Sequence, residues 1–166
     1  MKPHNYFIHI ITLILTILVA DISYAVDISA HHPSKPIQVP PFDVTVSLSP
    51  DAVKKLIELK ETVIVAAYFY GDSIPEAKSK ADAFGEIHFG ASKMELAGAG
   101  VVRITPIDID PTELKLIQAR EVMVLINVFS GRRSLKENIL KCGIFQDRVA
   151  RAASEGVKIN CTLLWF

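Results

Sequence analysis

The amino-acid sequence predicts a β-rich α+β fold, a mostly antiparallel sheet or β-sandwich of about six strands with short helices at its ends. Three observations predict it. The stretch FDVTVSL, Phe42 to Leu48, alternates apolar and polar residues, the period of a strand with one buried face. Two longer stretches, Glu61–Gly71 and Glu121–Ser130, are apolar on both faces, as befits strands buried on both sides or central in a sandwich. The helix signals between strands are short, and connections long enough for parallel crossovers follow only some strands. A Rossmann-type α/β fold is therefore disfavoured, and helix-rich α+β is the alternative.

The elements follow in order. The chain of 166 residues opens with Lys2, an apolar run from Tyr6 to Ala20, and then Ser23-Tyr24-Ala25. A basic start, a short apolar core and a small-x-small end describe a secretory signal peptide, residues 1–25. The run is shorter than the roughly 20 residues that cross a bilayer, so no membrane span is expected after cleavage. Residues 26–41 carry Pro33, Pro36, Pro40 and Pro41 and predict an extended, Pro-rich leader outside the core. Residues 42–166 are then one globular domain.

After the first strand, Ser49 is a good N-cap and Pro50 suits the first helical position. Val53, Leu56 and Ile57 make an apolar stripe for a short helix. Residues 72–84 read as a polar loop, and EIHFG (Glu86–Gly90) as a short strand with His88 facing solvent. The following ASKMELAGAG is ambiguous. VVRITPIDI, Val101 to Ile109, predicts an edge or bulged strand, because Pro106 cannot donate to a ladder. Asp110 caps a short helix. Ser134 and Glu137 form a capping box, which predicts a helix over 135–141. IFQDRVARAASEG predicts a second helix stopped by Gly156, and Val157 onward a closing strand with Cys161 on its buried side. The final CTLLWF resembles, over its last residues alone, the closing strand of bacterial outer-membrane barrels. The helix signals and the strands apolar on both faces have no place in a barrel wall.

Composition bounds the function. Lys plus Arg equal Asp plus Glu, at 18 each. A neutral chain has no electrostatic reason to seek nucleic acid. Cys142 and Cys161 are the two cysteines, and in an oxidising compartment they predict a disulfide.

Chemistry is sparse. The chain contains no G-x-S-x-G or S-x-x-K nucleophile motif and no His beside a candidate Cys. Asp108, Asp110 and Glu113 form a weak calcium candidate, although the EF-hand pattern is not matched. Asn127, the polar residue within an apolar strand, reads as a satisfied structural amide. Ser130, Gly131, Arg132, Arg133 and Ser134 stand between a strand and the expected helix. There they could hold a carboxylate, a phosphate or a partner's acidic side chain.

These readings predict a periplasmic or extracellular small binding protein that needs no cofactor. Its partner is expected to be another envelope or secreted protein, or a small anion. The alternative is a small hydrolase-like envelope enzyme whose site is assembled from residues distant in sequence.

Overall fold

The computed structural model describes residues 35–164, so the expected signal peptide and most of the expected leader lie outside the described residues. The first described element is a two-residue strand, β1 (Ile37–Gln38), and Val39 behind it is buried. The domain thus begins inside the stretch expected to be a leader. Ile37 pairs with Ile109, and Val39 donates its N–H to the Ile107 carbonyl, so ladder bonds hold the proline-flanked segment to the core.

β2 (Phe42–Leu48) is the alternating strand, with Phe42, Val44 and Val46 inward. Ser49 then caps α1 (Pro50–Leu59) by accepting the Ala52 N–H. Of the expected stripe the helix buries only Leu56, joined one turn earlier by Ala52: Ile57 is 72% exposed, and Val53 is exposed as well. β3 (Val63–Asp72) follows, then a 3₁₀ segment at Pro75–Lys80. β4 (Glu86–Leu96) is longer than EIHFG predicts, because Ser92, Met94 and Leu96 continue the alternation and pair with Ala67, Val65 and Val63. β5 (Gly100–Ile104) and β6 (Asp108–Ile109) are split at Pro106, and Asp110 caps α2 (Pro111–Leu114).

β7 (Met123–Ser130) is the second strand apolar on both faces. The expected helix over 135–141 does not form: the segment is irregular until β8 (Leu140–Cys142). The N–H groups of Ser134, Leu135 and Ile139 are taken by the side chains of Glu61 and Ser130, so the capping box never opens a helix. Ile139 and Leu140 are instead drawn into the core. The second expected helix is half strand. β9 (Phe145–Arg148) pairs with β7, which leaves only Val149–Glu155 for α3, stopped at Gly156. β10 (Val157–Leu163) closes the domain with Val157, Ile159 and Cys161 inward.

Beside the short β1–β6 ribbon, the strands form two four-stranded sheets. The first has the order β5-β2-β10-β8 and the second β4-β3-β7-β9. Every pairing is antiparallel except β2 with β10, which run parallel. The fold class is β-rich α+β, with more strands than the six expected, and the sheets stay open rather than closing as a barrel. Both contribute to one core, and Phe42 meets Phe69 across it edge to face, with centroids 6.5 Å apart. Cys142 and Cys161, direct partners across β8 and β10, are joined in a disulfide. Closing that loop of separation 19 stabilises the fold by about 3 kcal/mol on loop-entropy grounds.

Candidate functional site

The arginine corner is built around carboxylates of the chain itself. Ser130 is fully buried: its N–H donates to Asn138 Oδ1, and its Oγ accepts the Ile139 N–H. Gly131 is required by packing, since a Cβ there would run into the Thr62 side chain. The left-handed backbone falls on Arg132, with φ of 54°, and its guanidinium lies 5.6 Å above the Phe129 ring. Arg133 forks onto Glu95 Oε1 with Nε at 2.8 Å, and the Thr62 hydroxyl donates to the same oxygen at 2.6 Å. Ser134 gives its N–H at 2.6 Å and its hydroxyl at 3.0 Å to Glu61 Oε1, which also accepts the Leu135 N–H.

Glu61 is only 4% exposed. Burial by itself would raise its pKa. The N–H groups of Ser134, Arg133 and Leu135 and the Ser134 hydroxyl outweigh that and hold it at about 2. At this corner Arg133 and Ser134 are thus engaged by Glu95 and Glu61 of the chain itself, while Arg132 lies on Phe129 and Ser130 bonds to the 138–139 segment. Local sequence points to Glu137 as the residue that takes these donors. Glu61 stands 73 positions from Ser134, and no local pattern connects the two.

The calcium candidates are dispersed to separate tasks. Asp108 accepts from Gln38 and Asp110 caps α2 through Thr112, while Glu113 lines a cleft with Thr112 and Leu116. The cleft measures about 720 Å³, and Asp82, Glu86 and His88 line it as well. Among the described residues these three form the one group of potential metal donors lying within 4.8 Å of one another. Asp82 accepts the N–H groups of Phe84 and Glu86 and meets His88 Nε2 at 2.8 Å. These contacts, the Glu86 N–H foremost, lower the Asp82 pKa. Glu86 is raised, first by burial and then by repulsion from Asp82, with His88 opposing and Asp72 adding. Two carboxylates and an imidazole could hold a borderline divalent ion such as Zn²⁺. A sequence signal existed: Glu86 and His88 are two apart on a strand and must share a face.

The remaining feature is a surface. In the second sheet, Val63, Val65, Ala67 and Phe69 of β3 and Val124, Ile126 and Val128 of β7 face the core. The intervening residues face outward and stay apolar: Ile64 and Tyr68 from β3, and Met123, Leu125 and Phe129 from β7, all half-buried. Ala66 and Tyr70 on this outer face are buried by their neighbours without joining the core. Tyr70 accepts from Gln146 Nε2 at 2.6 Å. Asn127 sits exposed in the middle of the face, correcting the expectation of a structural amide. Among the described residues no helix or further sheet covers it.

No family model matches the chain, and comparison with curated proteins and with solved structures finds no match.

Proposed function

We propose that the protein is a small binding protein of the periplasm or the extracellular space, and that it works through the outer face of its second sheet. One observation carries the reading: β3 and β7 are apolar on both sides, and among the described residues only one side is covered. Open apolar faces of this kind mark interaction surfaces, because leaving them in water forgoes about 25 cal/mol for each Å² that could be buried. The Cys142–Cys161 disulfide is compatible with an oxidising compartment, and the basic-apolar-small pattern of residues 1–25 supports export. The partner is a protein of that compartment, reached through this face.

A photo-cross-linking residue placed at Asn127, in the open face, tests this against one placed at Thr45 on the outside of the first sheet. Protein adducts from position 127 and none from position 45 are expected. Equal adducts from both, or none from position 127, would overturn the reading. The alternative, a small hydrolase, is favoured by the Asp82–Glu86–His88 cleft. It requires a hydrolytic activity that His88→Ala abolishes without loss of fold.

A further inference from the structure

On the outer face of the second sheet, Glu95 at the Ile64 end is paired with Arg133, and Arg148 toward the other end with Glu121 and Asp147. The charges left without such partners differ in sign between the two ends. At the Ile64 end stand Arg132, seated on Phe129, and Lys93, across the ladder from Ala66. At the other end stand Asp72, the last residue of β3, and Glu86, its direct partner on β4. Among the described residues none of these four has a salt-bridge partner. The carboxylates crowd one another as well: Asp72 and Asp82 both push Glu86 upward, and His88 offsets this only in part. Ile64 and Asp72 are about 25 Å apart along β3, at roughly 3.3 Å per residue. That exceeds the Debye length of about 8 Å at physiological salt, so the two ends do not neutralise each other within one molecule.

Resting on the reading of this face as a binding surface, we propose that its partner is a second copy of the same chain. The two copies pack face to face about a two-fold axis that crosses β3 at right angles near Tyr68. An axis running along the strands would set basic end on basic end. The perpendicular axis reverses the strand direction, so each basic end meets the second copy's acidic end while β4 stays opposite β4. Two independent charge pairs agree on where the axis lies. Arg132 is at the level of Phe129 and so of Ile64, and pairing it with the second copy's Asp72 centres the axis on position 68 of β3. Lys93 is at the level of Ala66, and the second copy's Glu86 is at the level of Asp72, which centres it on position 69. The two placements differ by one residue. The axis passes through Tyr68, an aromatic side chain suited to the middle of an interface, with Leu125 directly across the ladder from it.

Sedimentation of the purified full protein over a range of concentrations tests the proposal, with Arg132→Asp, Asp72→Arg and their combination. A dimer that loosens as salt rises is expected. Each single change should weaken it about tenfold or more, the scale of close interfacial charge pairs, and the double change should restore it. Asp tolerates the left-handed backbone at position 132, and both sites are exposed, so the variants should melt like the parent. Tyr68→Glu should give monomers, and Thr45→Glu should leave the dimer intact. A monomer at every concentration overturns the self-pairing. The face itself remains the binding surface in that case if position 127 still cross-links to a different protein. A dimer insensitive to Tyr68→Glu overturns self-pairing through this face, and the absence of any adduct from position 127 overturns the binding reading as well. A dimer lost in the single charge variants and not recovered in the double overturns the proposed axis.

Discussion

The two sheets turn very different outer faces to their surroundings. The first presents Asp43, Thr45, Lys158, Asn160 and Thr162 and, among the described residues, a single exposed apolar one, Val101, beside Thr45. Asp43 is paired to Arg103 directly across the β2–β5 ladder at 3.0 Å. The second presents Ile64, Tyr68, Leu125 and Phe129. Both sheets alternate inward and outward side chains along their strands and give their inner faces to the same core. Only the outward positions differ, and those positions contribute little to holding the domain together. A face free of structural duty can be given another one, and here that separates a solvated side from the side proposed to bind.

The sharpest way to test this separation is to compare inner and outer aromatic residues. Phe69→Ala removes a ring from between the sheets and should cost about 3–5 kcal/mol in urea unfolding. Phe129→Ala on the outer face should cost about 1 kcal/mol or less and act on association instead. Comparable losses for the two would erase the distinction between core and face.

The next largest effect concerns the first sheet. Replacing Cys142 and Cys161 with Ser should lower stability by about 3 kcal/mol in chemical denaturation. Association through the second sheet should be unchanged, since the bridge joins β8 to β10.

Acid titration probes the junction beside the second sheet. Glu61 has a folded pKa of about 2 against an ordinary 4.5. Since the folded value is the lower, its contribution is complete above about pH 4.5 and is lost as pH falls through 2. That amounts to about 3 kcal/mol at 1.36 kcal/mol per unit. Stability measured across this window should fall more steeply for the parent than for Glu61→Gln, which begins lower and has no such carboxylate to titrate. Parallel curves would mean that Glu61 does not supply the acid sensitivity.

The smallest effect is expected on the solvated face. The Asp43–Arg103 pair is exposed on both sides, and replacing both with Ala should change stability by about 0.5 kcal/mol. It should leave association untouched.

The central strands and the disulfide are legible in the sequence because local periodicity and cysteine count encode them directly. Val44, Val46, Val157 and Ile159 are core residues that period two alone identifies. Ser49 and Asp110 cap their helices as their chemistry predicts. The features that sequence misplaces are decided at long range. The motif Ser134-x-x-Glu137 is a valid capping box, but Glu61 takes its donors from just before the start of β3. Phe145–Arg148 has a helical pattern, but β7 offers it a ladder. Lys136 and Glu137 are exposed, while Ile139 is buried, which is the arrangement of a strapped loop rather than of a helix face. The open face is half legible: its strands read as apolar on both sides, but sequence alone does not say that only one side is covered.

The parallel pairing of β2 with β10 also fixes when the domain can be completed. Val44 neighbours Val157 in the ladder, so the first sheet cannot assemble its middle until the chain has been synthesised as far as β10. Such long sequence separation slows folding, because a large loop must close before its contacts form. During synthesis the first sheet lacks its central partner, while every strand of the second sheet precedes β10. On the proposed reading of residues 1–25 as an export signal, that delay suits passage of an unfolded chain: the strand that completes the sheet crosses after every other strand described.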